Sequence, residues 1–316
     1  MGLASGPRPL TSAQDASPSS DPWSEWLLQR RHGGDPDHEC VIRGQVERIR
    51  DRVLDGARLS PGMVLVDVGA GDGLISFGAF ERVGRSLQVV LADVSAPLLR
   101  RAEQTALARG LRDRCSFLQT PAERLAGIAD HSADVLTTRA VLAYVPNKAA
   151  AVRQFHRVLK PAGRISIGEP IFQDDALQLA ALTRWLEGRP PDAKHALNRL
   201  HQRWRAAQLP STTKEIRRNP LTNFTERDLV GLCQQAGFGE IHLELHIDVR
   251  RAAAMSWEAY LDTAPRPHAL TLREIFAAQF GEEEQRQFEE GLRPLVESGA
   301  LVERDAIAYL TAAKPR

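Results

Sequence analysis

The sequence predicts an α/β fold with a parallel sheet, and three observations carry that expectation. Short apolar runs alternate with amphipathic helical stretches between about residue 60 and Pro170. The first apolar run, MVLVDV, ends in a glycine-rich turn, GAGDG, which opens a helix. The alternation stops after Pro170, resumes at Thr225 and stops again near Arg251, as expected for helical insertions in one sheet. Strands alternating with helices imply right-handed βαβ units, so the sheet is expected to be covered on both faces.

The elements follow in order. Residues 23–59 read as a helical segment, because WSEWLLQRR and CVIRGQVERIRDRVL each place apolar residues on one face, with a Gly/Pro break between them. MVLVDV is a strand, Asp72 to Val83 a helix, Leu87–Asp93 a strand, and Ala96 to Arg109 a helix with Leu98, Leu99, Ala102 and Ala106 on its buried face. CSFLQ and Ala133–Arg139 are strands, Lys148–Leu159 is a helix, and ISIGEP is the fifth strand. The core thus spans 60–171 and continues over 225–251. There Thr225 with Asp228 fits a capping box, and Gly237 fits a helix stop. EIHLELHIDV is a strand, and 304–316 holds the last one. The insertions are 172–224 and 252–303, expected to cap the carboxyl ends of the strands together with 23–59. Residues 1–22 are rich in Ser, Ala and Pro and read as a disordered tail.

Composition excludes several classes. The 316 residues are 43% hydrophobic, and the formal net charge is +1. Near-neutral charge disfavours nucleic acid and anionic membranes as partners. No apolar stretch is long enough to span a bilayer, and the N-terminus lacks the form of a signal peptide. Cys40, Cys115 and Cys233 form no paired motif, which suits a reducing, cytoplasmic location with all three as packing residues.

Gly69, Gly71 and Gly73 follow the first strand, where glycines let the backbone approach a ligand and a helix N-terminus offers free N–H groups. Asp93 ends the second strand, about twenty residues on, where an acid can hold a ribose diol. Asp72 sits inside the turn and would repel a pyrophosphate. The pattern therefore disfavours NAD and FAD and favours a nucleoside bearing a cation.

VDVGAGDG, LADVSAPLL, TPAERL, HSADVLTTRAVLAYV and RVLKPAGRISIGEP, in that order, resemble the class I S-adenosylmethionine-dependent methyltransferases. The similarity is to their small-molecule branch, the ubiquinone-biosynthesis-like, type 11 enzymes. It covers about residues 60–170, and the last strand more weakly. The resemblance implies a Rossmann-like, seven-stranded, mostly parallel sheet with the last strand antiparallel, and S-adenosylmethionine as cofactor. Carried onto this chain, Asp67, Gly69, Ala70, Gly71 and Asp72 would lie along the methionine part. Asp93 would take the ribose hydroxyls, Val94 would flank the adenine, and Ala122 and Glu123 would sit at its edge. Arg139 and Ala140 would face the methionine moiety and the acceptor.

The expected activity is methyl transfer to a small organic acceptor in specialised metabolism. Glu169, at the end of ISIGEP, is a candidate general base or a stabiliser of a cationic intermediate; a structural strand-end carboxylate is the rival reading. Tyr144 is a pocket or a core residue. His201 and His32 are further candidate bases, each equally readable as a surface histidine. His242, Glu244 and His246 alternate on one strand face, with Leu243, Leu245 and Ile247 marking the other as core; this reads as a polar face rather than a metal cluster. Residues 184–218 are basic and carry Trp185 and Trp204. With Glu169 as base they suggest an alternative, C-methylation of a prenyl diphosphate such as geranyl diphosphate, with Mg²⁺ required only then. Further alternatives are an RNA or protein methyltransferase and a non-catalytic cofactor-binding protein. Trp23, Trp26 and the Gly33–Gly34 pair suggest a lid over the cofactor. A homo-oligomer stays open.

Overall fold

The computed structural model describes residues 21–190 and 192–316. The expected tail therefore lies outside the described residues up to position 20, while Asp21 and Pro22 already belong to a helix start, α1 (Pro22–Glu25). A π-helical turn, Trp26–Arg30, continues it. We call residues 21–34 the N-terminal arm.

Seven strands form one sheet in the order β3-β2-β1-β4-β5-β7-β6. They are β1 (Val64–Val68), β2 (Gln88–Asp93), β3 (Cys115–Gln119), β4 (Ala133–Arg139), β5 (Leu159–Pro170), β6 (Gly239–Arg251) and β7 (Val302–Ala313). β7 runs antiparallel to both β5 and β6, and the other pairings are parallel. β1 is buried along nearly its whole length, so a continuous apolar run rather than an alternating one marks it in the sequence. The strand order reverses between β1 and β4, and the turns after these two strands face each other across a crevice.

Helices cover both faces. α2 (Pro36–Ala57) and α3 (Leu74–Val83) lie on one side, where Val53, Leu54, Phe77 and Phe80 join Leu65 and Leu91 in one core cluster. α4 (Ala96–Ala108) adds Leu99 and Ala102 to it. On the other side α5 (Lys148–Val158) and α9 (Glu226–Gln235) bring Phe155, Val152 and Leu229 against Leu136 and Ile165. The capping box at Thr225 and Asp228 starts α9, and Gly237 with its positive φ (92°) follows its end, as the sequence predicted.

The expected lid over 23–59 divides in two. α2 is a sheet-covering helix: the Val53 carbonyl accepts a hydrogen bond from Ser166 Oγ at 2.7 Å, and a Cβ on Gly56 would meet Ser166 Oγ at 2.6 Å. Only the arm extends over the carboxyl ends of the strands.

The insertions fold together. The first holds α6 (Gln173–Glu187), α7 (Ala196–Ala206) and α8 (Thr213–Arg218); the second holds α10 (Trp257–Asp262), α11 (Leu272–Gln279) and α12 (Glu282–Glu297). Leu200 of α7 shares a small core with Trp257, Leu272, Phe276 and Phe288, so the second insertion packs onto the first.

Two expectations about packing are corrected. Leu245 and Ile247 are exposed rather than core, because β6 outruns the helices that cover its first residues. Cys40 is exposed on α2, whereas Cys115 and Cys233 are buried and burial pushes their thiols up to about 11 and about 12. No helix among the described residues is long and apolar enough to cross a membrane.

Candidate active site

The crevice is built around the turn after β1. Gly69, Gly71 and Gly73 all have positive φ, at 67°, 55° and 94°. The space around them differs. A Cβ on Gly69 would lie 2.2 Å from Val141 Cγ2, and one on Gly73 would lie 2.4 Å from the Phe77 ring. A Cβ on Gly71 meets nothing nearer than Leu27 Cδ2 at 3.8 Å. Two of the three glycines are therefore demanded by packing, and only Gly71 presents its backbone to the open side of the crevice. Asp67 fixes the turn from below. Its buried carboxylate accepts hydrogen bonds from Ser76 Oγ (2.7 Å), Ser76 N (3.2 Å) and Thr137 Oγ1 (3.2 Å). Burial raises its pKa to about 6 against those bonds. Asp67 is a scaffold for the turn rather than a ligand contact.

Asp93 ends β2 as expected. Its carboxylate accepts from Gly71 N at 2.7 Å and Ser95 N at 2.8 Å, which locks the glycine turn to β2. Each oxygen retains a lone pair for a further donor. Desolvation raises its pKa, and those backbone bonds oppose the rise. Beside it Val94 is exposed, Ala122 is buried and Glu123 is half-buried. Gln119 Nε2 donates to the Val94 carbonyl at 3.0 Å and fixes that edge. A pinned acid, an exposed aliphatic side chain and an open backbone at Gly71 fit the ribose, adenine and methionine parts of S-adenosylmethionine.

The opposite wall is the turn after β4. Ala140 has φ of 55°, and its N–H donates to the Gly168 carbonyl at 2.8 Å. This left-handed alanine lets the chain leave the sheet sharply and brings Val141 onto Gly69. Glu169 holds the turn and is corrected as a candidate base. Its side chain is fully buried and accepts from Val141 N (2.9 and 3.1 Å), Ala143 N (3.2 Å) and Thr138 Oγ1 (3.2 Å). Desolvation raises its pKa, and the backbone donors pull it down. A carboxylate so enclosed has no face toward an acceptor. Lys148 continues the same anchorage, donating to the carbonyls of Val145 (3.1 Å) and Pro220 (2.8 Å); burial lowers its pKa to about 8.

Tyr144 and Arg139 stand in the crevice. The Tyr144 ring meets Trp23 edge-on at 5.3 Å, and burial pushes its phenol up to about 12, so it is a neutral hydrogen-bonding group at physiological pH. Desolvation lowers the Arg139 pKa, with Arg31 close by as a second cation and Asp72 as the first of the nearby anions. Arg31 comes from the arm and rests over Trp26 at 5.2 Å. Arg266, from the second insertion, also acts on Tyr144, with Asp175 as the acid near it.

The arm is tied to that insertion. Trp26 Nε1 donates to the Ala264 carbonyl at 2.8 Å, and Ala264 N donates to the Arg30 carbonyl at 2.8 Å. Trp23 meets His268 at 5.2 Å, and a Cβ on Gly33 would lie 2.0 Å from the Ala259 carbonyl oxygen. Leu27 and Asp21 reach the glycine turn and the end of β2, Leu27 against Gly71 and Asp21 accepting from Ser95 Oγ.

The remaining candidates fall elsewhere. His201 lies edge-on to Trp204 at 5.3 Å in the helical insertion, where burial lowers its pKa. It makes no contact with Tyr144 or the glycine turn among the described residues. His32 bonds the Leu28 carbonyl within the arm. The basic insertion does not converge on a phosphate. Arg203 pairs with Glu284 at 2.8 Å, Arg199 donates to the Arg189 carbonyl at 2.7 Å, and Arg189 stacks on Trp185 at 3.8 Å. Glu244 is bonded by His246 (2.9 Å) and Arg52 (2.5 Å) on an exposed face, and no cluster suited to a metal occurs among the described residues. A groove of about 470 Å³ lies between α6, α7 and α12, beside Arg199 and Arg203 and away from the glycine turn.

Sequence reasoning missed Arg31 and Arg266. Their signals were present: Arg31 precedes the Gly33–Gly34 pair, and Arg266 stands between Pro265 and Pro267, two residues that fix its backbone.

The profile of a family described as "Methyltransferase domain" matches residues 59–219, just over half of the chain. Over 130 residues the chain is 31% identical to the ubiquinone/menaquinone biosynthesis C-methyltransferase UbiE of Cellvibrio japonicus, covering 41% of this chain and 52% of that protein. Over 125 residues it is 36% identical to the nocamycin O-methyltransferase of Saccharothrix syringae, covering 38% and 42%. The match thus spans about half the length of these curated relatives. Among solved structures, the YcgJ protein of Bacillus subtilis superposes with a TM-score of 0.52 at 15% identity, over 85% of this chain and 99% of that one, a likeness of fold.

Proposed function

The chain belongs to the methyltransferase-domain family, the class I S-adenosylmethionine-dependent group, and from that premise we propose that it transfers a methyl group to a small organic acceptor bound between the glycine turn, the Tyr144 turn and the arm. The observation that carries the reading is Asp93, held by Gly71 and Ser95 at the strand-order reversal with acceptor sites to spare. The names of the relatives, a quinone-pathway C-methyltransferase and a nocamycin O-methyltransferase, support a small acceptor and, for the second, specialised metabolism.

S-adenosylmethionine, when bound, supplies an electrophilic methyl group on a sulfonium. This chain's residues then have to hold, orient and shield. Asp93 would accept from the ribose hydroxyls, Val94, Ala122 and Glu123 would border the adenine, and Gly71 would lie under the methionine part. Arg139 or Arg31 would face the methionine carboxylate, with Asp72 near its cationic end. Tyr144, kept neutral, would donate a hydrogen bond to the acceptor. The arm and the second insertion would exclude water, and in-line positioning supplies much of the rate enhancement of such transfers. The enclosed Glu169 is not available as a general base, which favours acceptors that are already nucleophilic over C-methylation of a prenyl chain with Glu169 as base.

Calorimetric titration with S-adenosylhomocysteine tests the reading. Asp93→Ala removes two charge-assisted hydrogen bonds and is expected to weaken binding by about a hundredfold. Wild type that does not bind S-adenosylhomocysteine at all would refute the proposal.

A further inference from the structure

We propose that the acceptor carries an anionic group, a carboxylate or a phosphoryl group, and that Arg266 receives it beside Tyr144. The proposal rests on the methyl-transfer reading and adds the acceptor's charge to it.

Three guanidinium groups from three separate elements act on one tyrosine, Tyr144. Arg139 ends β4, Arg31 ends the arm's helical segment, and Arg266 lies in the second insertion. Among the described residues none of the three has a carboxylate hydrogen-bond partner; their interactions with acids are longer-range. The buried acids nearby are already used, Asp67 by Ser76 and Thr137, Asp93 by Gly71 and Ser95, and Glu169 by the 141–143 backbone. Asp72 acts most strongly of the acids on Arg31 and Arg139. The cofactor's single carboxylate would add one more anion beside Arg139 and Arg31. Asp175, half-buried on α6, is the acid that acts on Arg266, and no hydrogen bond joins the two.

Arg266 is also placed for a ligand. It is 7% exposed, so its charge is largely removed from water, and a buried charge without a hydrogen-bonded counter-charge is costly. The Gln208 carbonyl accepts from one end of its guanidinium, and the Phe172 ring lies 5.7 Å from Cζ. Pro265 and Pro267 flank it and restrict the backbone. A guanidinium has five donors, so one carbonyl leaves its fork able to meet a carboxylate or phosphoryl group bidentately. Phe172 follows Glu169 by three residues at the carboxyl end of β5, the edge at which ligands of such sheets bind. Burial lowers the Arg266 pKa to about 10, still well above physiological pH, so the group is charged there.

The test uses the full chain saturated with S-adenosylhomocysteine. Sodium pyrophosphate and sodium succinate are titrated separately by calorimetry, with potassium chloride of equal ionic strength as control. At least one anion is expected to bind wild type with a Kd of about 1 mM or below, and Arg266→Gln is expected to weaken it by about tenfold or more. Arg266→Lys, which keeps the charge and loses the fork, should fall between the two. The S-adenosylhomocysteine affinity of both variants should stay within about threefold of wild type. Binding of pyrophosphate alone assigns a phosphoryl acceptor, and binding of succinate alone assigns a carboxylate. The proposal is overturned if neither anion binds above the chloride control, if both variants bind as wild type does, or if S-adenosylhomocysteine affinity falls in step with the anion's, which would place Arg266 on the cofactor. Failure of wild type to bind S-adenosylhomocysteine would instead refute the methyl-transfer reading beneath it. Circular dichroism identifies a variant that has not folded, and the lysine variant then carries the comparison.

Discussion

Glu169→Ala separates a catalytic carboxylate from one that holds the site together. In wild type this side chain accepts from two backbone N–H groups, Val141 and Ala143, and from the Thr138 hydroxyl, all in a fully buried setting. Alanine leaves three donors without a partner, and each such group costs about 1–3 kcal/mol. Some relaxation of the 141–144 turn is expected, so the loss should be about 4 kcal/mol. Glu169→Gln keeps one carbonyl oxygen and removes the desolvated charge, but turns an amide donor toward other donors; about 2 kcal/mol is expected. Urea unfolding at pH 7.5 with linear extrapolation measures both. The same turn carries Val141, which packs on Gly69, and Tyr144, so S-adenosylhomocysteine affinity should fall together with stability. A general base would behave otherwise: its removal would stop turnover while stability and cofactor affinity stayed at wild-type values. Glu169→Ala within about 0.5 kcal/mol of wild type, with unchanged S-adenosylhomocysteine affinity, would sink the positioning role.

Asp67 gives a pH signature. Its folded pKa of about 6 lies above the ordinary aspartate value, so the native state holds the proton more tightly than the unfolded chain. The associated stability is present below about pH 4 and is lost as pH rises through about 6. Asp67→Asn lacks that loss, so its stability relative to wild type should rise by about 3 kcal/mol between pH 4 and pH 7; a flat difference in urea midpoints would contradict this. Gly69→Ala should destabilise by about 3 kcal/mol or more, from the positive φ and the overlap with Val141. Adding Val141→Ala should recover the overlap part and leave about 1 kcal/mol, read from a double-mutant cycle. Trp26→Phe removes the 2.8 Å bond to the Ala264 carbonyl and should loosen the arm by about 1 kcal/mol. Tryptic cleavage at Arg30 and Arg31 should then quicken by about fivefold with global stability little changed.

The parts of this fold that were legible are those fixed by local chemistry. Ala133–Arg139 is a strand with those bounds because its apolar and β-branched residues are buried on both faces of a parallel sheet, and Thr225 and Asp228 announce a helix start by a reciprocal hydrogen-bond pattern. The acid at the end of β2 was legible because its distance from the glycine turn is set by one βαβ unit. What stayed hidden depends on distances that no local pattern encodes. Gly69 looked like a place for a ligand to approach, yet its missing Cβ makes room for Val141, seventy-two positions away in the sequence. Glu169 looked like a base because strand-end acids border such crevices; whether its oxygens face the crevice or the next turn depends on Ala140, whose left-handed φ sends the chain back over them. The basic insertion looked like a phosphate grip because charge was counted along the chain. In three dimensions Arg203 is spent on Glu284 and Arg199 on helix-end carbonyls, while the arginines around Tyr144 come from segments more than a hundred residues apart. A lone arginine in a loop carries no pattern of its own. Its meaning arises only when the arm and the second insertion close on the same tyrosine, which is why the acceptor side of the site had to be read from the folded chain.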